Sequence, residues 1–215
     1  MVDPSGSHPA GLRERKKART RKMLIDTAVD LCLSRGYENT TVEQISDAVS
    51  VSPRTFNRYF ASKDAVFIAV IDDLANEIAA ELDSQQSTVG PLAALRAAHI
   101  AVLTRAARGR VSAGLTAERI MLILRVVYSS PTLRQAAIDY RCPAAMEALA
   151  AKMGVATDDP RLELAVAVFS TTIVSACRDI IASGVADRCG PDAVMERLEQ
   201  ALTDVSMFTA ELELP

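Results

Sequence analysis

The 215-residue chain has no Trp, and aromatic residues make up only 4% of it although 49% is hydrophobic, so its apolar mass is aliphatic and alanine-like. That balance favours helix over sheet. Nine Gly and nine Pro are few for an all-β chain, which needs a turn signal about every 8–12 residues. The four cysteines, Cys32, Cys142, Cys177 and Cys189, show no CxxC spacing, which argues against a disulfide framework or zinc site and fits a reducing cytoplasm. The only histidines are His8 and His99, so general-base chemistry has a single helical candidate. P-loop, GxSxG, HExxH and Rossmann glycine motifs are all missing. No enzyme, cofactor or metal is expected. The uncharged run from Leu164 to Cys177 is shorter than the roughly 20 residues of a membrane span. Met1 to Gly11 is rich in Pro, Ser and Gly without a signal-peptide core, so residues 1–12 are expected to form a disordered tail, with no membrane partner.

The formal charge of −3 seems to speak against a nucleic-acid partner, but it is unevenly spread. Residues 1–63 hold 11 Lys/Arg against 7 Asp/Glu, a net of +4, and residues 64–215 hold 13 against 20, a net of −7. A basic head precedes an acidic body.

Within the head, seven cations between Arg13 and Lys22 lead into an apolar stripe at Leu24, Ala28, Leu31 and Cys32, the spacing of one helical face. Gly36 is placed to end that helix. Thr41 with Gln44, or Thr40 with Glu43 one residue earlier, offers a capping box for a second helix, whose buried face is expected at Val42, Ile45, Ala48 and Val49. Ser50-Val51-Ser52 forms a break. Ser52-Pro53 then supplies a cap and a first-turn proline for a short helix running to about Phe60. A further stripe of Phe67, Val70, Ile71, Leu74 and Ile78 predicts a helix to about Leu82, with a polar loop from Asp83 to Gly90. Beyond Pro91 the punctuation predicts helical runs over 91–108, 116–128, 131–153, 160–183 and 191–212. Pro143 should kink or split the third of these.

Two short helices joined by a three-residue turn, packed on a preceding amphipathic helix, make a helix-turn-helix. Ser52, Arg54, Thr55, Asn57, Arg58 and Tyr59 lie on the start and outer face of its second helix, while Phe56 and Phe60 face inward. Arg can grip guanine and Asn adenine with paired hydrogen bonds, so Arg54 and Asn57 are candidate base readers, and Thr55 can touch a thymine methyl or a base edge. Thr41, at a helix N-terminus, and Tyr59 and Lys63 suit phosphate.

The stretch TVEQISDAVSVSPRTFNRYFASKDA, Thr41 to Ala65, resembles the N-terminal signature of the TetR family of transcriptional regulators, and the resemblance extends over about residues 18–78. It implies an all-α homodimer. A three-helix DNA-binding domain at 13–62 would be followed by a connecting helix at 63–82 and a larger ligand-binding and dimerisation domain at 83–215. It also marks Thr41, Ser52, Arg54, Thr55, Tyr59 and Lys63 as DNA-contacting positions. Two departures stand out. Ser50 occupies a turn position where many members have Gly, which suggests a slightly different turn geometry. Asn57 replaces a frequent Tyr, which removes one backbone contact and adds a possible base reader.

In the acidic body, the run 160–183 is apolar on nearly every side and the run 191–212 carries one apolar stripe. An intersubunit four-helix bundle is therefore expected, with Leu162, Val166, Phe169, Ile173, Val194, Leu198, Leu202 and Val205 at the interface. His99, Leu103, Met121, Leu122, Leu124, Phe169 and Thr172 are candidates to line an effector cavity. Few aromatics and charges there favour a lipophilic effector. The function expected is a cytoplasmic, ligand-responsive regulator, a repressor that releases a palindromic DNA operator on binding a small molecule. A thiol redox sensor built on Cys142, Cys177 or Cys189 and a helical enzyme without a recognised motif are the alternatives.

Overall fold

The computed structural model describes residues 9–85, 90–109, 116–182 and 190–211. All regular structure among them is helical, in the order α1 Pro9–Arg35, α2 Val42–Ala48, α3 Pro53–Asn57, α4 Lys63–Ser84, α5 Pro91–Ala107, α6 Ala117–Tyr128, α7 Pro131–Asp139, α8 Pro143–Met153, α9 Pro160–Ala176, α10 Arg178–Ala182 and α11 Pro191–Ala210. The chain divides into two compact units, Met1–Ala69 and Val70–Pro215. The expectations placed on His8, Cys189 and the first eight residues of the tail lie outside the described residues, and α1 already begins at Pro9, inside the tail expected to reach residue 12.

The scarce prolines have one dominant use. Seven helices, α1, α3, α5, α7, α8, α9 and α11, open on a proline, where its fixed φ suits the helix and its missing N–H removes no intrahelical bond. Pro143 follows this rule: the 131–153 run is two helices, with Cys142 as cap and Pro143 as the first residue of α8. The 160–183 run is also divided, at Cys177, into α9 and α10.

In the first unit, α1 and α3 both pack on α2. Leu24, Ala28 and Cys32 of α1, Ile45 and Val49 at α2, and Phe56 and Phe60 at α3 are buried together with Val66 and Phe67 of α4. Ala48, expected on the buried face of α2, is exposed, and Ser46 is buried instead.

In the second unit, α9 is the central element and packs on α5, α7, α8, α10 and α11. Such surroundings explain why its sequence is apolar on most sides. Leu162, Ala165, Phe169 and Thr172 are its buried residues. Across α5 and α11, Arg96 meets Glu199 through a two-pronged ion pair, with its Nε 2.7 Å from one carboxylate oxygen. Both side chains remain well exposed, so the pair aligns the helices more than it stabilises them.

Candidate functional site

The turn between α2 and α3 fixes the geometry of the first candidate surface. The Ser50 amide donates to the Asp47 carbonyl at 3.0 Å and the Val51 amide to the Ser46 carbonyl at 2.9 Å. This pair of bonds is a Schellman closure of α2. It requires a left-handed residue, and Ser50 takes φ 58, the only positive φ at a non-glycine among the described residues. The altered turn expected from Ser50 is therefore not what forms. Serine adopts the conformation that glycine takes more easily, since the two hydrogen bonds outweigh the steric cost of its Cβ.

Both helices are capped as the sequence suggests. Thr41 Oγ1 accepts from the Gln44 amide at 3.3 Å, and Gln44 Oε1 accepts from the Thr41 amide at 3.0 Å. Ser52 Oγ accepts from the Thr55 amide at 3.1 Å and lies 3.0 Å from Thr55 Oγ1. Phe56 is fully buried, with the Phe60 ring 5.7 Å away and the Arg21 guanidinium over Phe60. This packing locks one face of α3. Ser52, Arg54, Asn57 and Arg58 are exposed, and Thr55 and Tyr59 partly so. Arg58 stacks over Tyr59 at 5.4 Å, which limits how far both can reach at once. All the residues assigned to DNA from the sequence thus belong to one compact unit, with six of them between 52 and 59.

Lys63 makes contacts that the sequence did not disclose. Its Nζ donates to the Tyr37 carbonyl at 2.9 Å and stands 3.9 Å from the centre of the Tyr37 ring. Tyr37 is buried, packs edge-on to Phe67 and donates its hydroxyl to Asp64. Burial and the neighbouring carboxylate hold the Tyr37 hydroxyl protonated far above the ordinary tyrosine range. The start of α4 is thereby tied to the segment following α1. The only sequence signal for this tie was an aromatic directly after the helix-ending Gly36.

The second unit contains an apolar cavity of about 180 Å³ bordered by α4, α5, α6, α7, α8 and α9. Of the residues expected to line it, His99, Leu124 and Phe169 do so. Leu103 and Met121 are buried elsewhere in the core, Leu122 lies off the cavity wall, and Thr172 borders a shallow groove between α9 and α11. Helical spacing placed these residues on the correct elements but not on the correct faces. Ile71, Leu74 and Ile78 of α4 line the cavity too, as does Tyr140, whose hydroxyl donates to Asp72. No Lys, Arg, Asp or Glu is in its wall.

The residues assigned to a dimer interface have three kinds of surroundings, and Phe169 shares two of them. Leu162, Phe169, Val194 and Leu198 are covered by the chain's own helices, at 0%, 2%, 3% and 0% exposure, which leaves them no surface for a second copy. Val166, Phe169 and Ile173 line the cavity. Leu202 and Val205 are partly exposed, and Val205 joins Phe208 along the α9–α11 groove. Among the described residues of the second unit, the exposed large apolar side chains are instead Leu164, Met207 and Phe208.

Cys32, Cys142 and Cys177 are buried and in no disulfide. Burial pushes the Cys177 thiol up to about 12, which disfavours the reactive thiolate. No cluster of metal-binding side chains occurs among the described residues, and none of their helices is long and apolar enough to cross a membrane.

α2 and α3, joined by a tight turn and packed with α1, form a helix-turn-helix, the arrangement of a class of DNA-binding domains. Residues 24–70 match the model of the bacterial regulatory proteins of the tetR family. The match covers the helix-turn-helix and the start of α4.

It is similar to the HTH-type transcriptional regulator TcmR of Streptomyces glaucescens, with 43% identity over 123 residues, 57% of this chain and 54% of that protein. It is also similar to the regulator RutR of Escherichia coli, with 31% identity over 86 residues, 40% of this chain and 41% of that protein. The chain thus spans about half the length of the curated relatives it matches. Among solved structures, Thermus thermophilus FadR, a TetR-family repressor crystallised with lauroyl-CoA, aligns with a TM-score of 0.48 and 21% identity over 85% of this chain and 91% of that one.

Proposed function

We propose that the chain is a homodimeric, ligand-responsive repressor that binds a near-palindromic DNA operator through α3 and releases it when a lipophilic molecule enters the cavity of the second unit. The observation that carries this reading is the presentation of α3: Phe56 is fully buried while Arg54, Asn57 and Arg58 face solvent. Arg54 and Asn57 read base edges, and Thr41, Ser52, Thr55, Tyr59 and Lys63 contact the backbone or flanking edges. The exposed cations Arg13, Arg15, Lys16, Lys17 and Arg19 on α1 add sequence-independent phosphate attraction.

Two copies would associate through the exposed Leu164, Met207 and Phe208 and place their α3 helices about 34–36 Å apart, one turn of DNA. The helix that begins at Lys63 also lends Ile71, Leu74 and Ile78 to the cavity wall, and this continuity supports coupling between effector and DNA. Release further requires that the effector bind the DNA-free state more tightly than the DNA-bound state. The protein acts in the cytoplasm and is not an enzyme. Selection of bound fragments from random DNA tests the reading: a recurrent near-palindrome is expected, and salt-sensitive binding without any recurrent sequence would overturn it.

A further inference from the structure

The cavity wall is almost entirely apolar, and its polar groups are engaged to different degrees. The Tyr140 hydroxyl is committed to Asp72, and Cys142 Sγ points to Asn76 Oδ1 at 3.7 Å. Ser170 contributes a rotatable hydroxyl and Tyr128 a phenolic one. His99 differs from these. Its Nδ1 lies 2.8 Å from the Leu95 carbonyl, an oxygen that can only accept, so Nδ1 carries the proton. Its ring packs against Phe169 with centres 4.6 Å apart. Burial lowers its pKa to about 4, and no carboxylate in the cavity wall offsets this. The imidazole is therefore neutral at pH 7, with a lone pair at Nε2 and no hydrogen-bond partner for it among the described residues.

We propose that His99 Nε2 is a specificity-determining acceptor, and that the effector is a neutral, mostly apolar molecule bearing a hydroxyl or N–H that donates to it. The inference rests on the reading of the cavity as the effector site. A fixed Nδ1–H tautomer offers the ligand an acceptor and no donor at this point. A carboxylate ligand would meet a lone pair instead of a proton, and with no cation in the wall its charge would be buried unpaired, which is strongly unfavourable. A cationic ligand would meet no carboxylate. A cavity of this size accepts about one substituted ring, since an engineered cavity of roughly 150 Å³ holds benzene.

Three probes of matched shape test the proposal by calorimetry on the full chain: 4-ethylphenol, its methyl ether 4-ethylanisole, and 4-ethylbenzoate. The phenol is expected to bind about tenfold more tightly than the ether, the scale of one net hydrogen bond with its partner left unpaired. The benzoate is expected to bind weakest. His99→Leu should abolish the preference for phenol over ether, and His99→Gln, which keeps an acceptor near the Nε2 position, should restore part of it. Because the chain has only two histidines, the ring nitrogens of His99 can be followed by NMR in the unaltered protein. The Nε2 resonance should move with the phenol and not with the ether. Equal binding of phenol and ether, or a preference that survives His99→Leu, overturns the role of His99 and leaves the cavity reading standing. If none of the three binds at millimolar concentration, the cavity reading falls as well.

Discussion

Replacing Ser50 with Gly tests whether the α2–α3 turn is held against local strain. Ser50 sits at φ 58, where a residue with a Cβ loses about 1–2 kcal/mol relative to the right-handed region. Glycine removes that cost but gives the unfolded chain extra freedom, which takes back about 0.5–1 kcal/mol. A net stabilisation of about 0.5–1 kcal/mol is expected. The bonds from the Ser50 and Val51 amides remain possible, so the helix-turn-helix keeps its shape. Native-state hydrogen exchange of the amides from Ile45 to Phe56 is the direct assay, with protection expected to rise about two- to fivefold. Ser50→Val is the opposing control, because a β-branched residue at positive φ is a severe outlier, and it should lower protection in the same amides. If Gly lowered protection while Val left it unchanged, the left-handed assignment and the strain derived from it would be wrong.

Arg54→Ala should weaken operator binding by about 1–3 kcal/mol and relax selectivity at one base position; a full operator-variant scan that looks unchanged refutes the base contact. Lys63→Ala should reduce binding to all sequences, make the salt slope shallower by about one unit and, through its lost contacts to the Tyr37 carbonyl and ring, lower stability by about 1 kcal/mol. Unchanged thermal stability in that variant would contradict the structural half of the claim. Phe208→Glu, at an exposed apolar position, should convert a micromolar dimer to monomer in sedimentation velocity; a wild-type protein that already sediments as monomer refutes the interface. Acid should destabilise the second unit through His99. The unfolded chain takes up a proton below about pH 6.5 and the folded one only near 4, so stability is retained above 6.5 and lost as pH falls through this window. The loss amounts to about 3 kcal/mol. Urea titrations should show His99→Leu with a weaker pH dependence than wild type between 6.5 and 4, and identical profiles would refute the neutral buried imidazole.

The capped helix starts were the most legible feature. Thr41 with Gln44 and Ser52 with Pro53 act within one helical turn, so their chemistry is complete in a few consecutive residues, and the structure realises both caps. The prolines were legible for the same reason, and even Pro143 split its run as its chemistry requires. The left-handed turn at Ser50 was less legible. A serine does not declare positive φ, which is imposed by the backbone bonds that close α2 around it.

The body shows where periodicity stops being informative. Leu162, Val166, Phe169 and Ile173 lie on one stretch of α9, yet Leu162 is sealed in the chain's own core, while Val166 and Ile173 border the cavity. Leu164, two residues away from both Leu162 and Val166, is 64% exposed. An aliphatic side chain is chemically suited to a core, a cavity wall or an interface, and only the neighbouring helices select among these. His99 follows the same logic. Its sequence position gave a buried or cavity-lining imidazole, but the Leu95 carbonyl and the Phe169 ring set its tautomer and orientation. By itself the sequence determined the helical class, the two capped starts of α2 and α3 and the solvent-facing polar set of α3, because these depend on interactions within a turn or two of chain. Tertiary structure decided the cavity, the orientation of the imidazole on its wall, the tie between Tyr37 and α4 and the surface left uncovered, because each depends on which distant helices arrive at the same place.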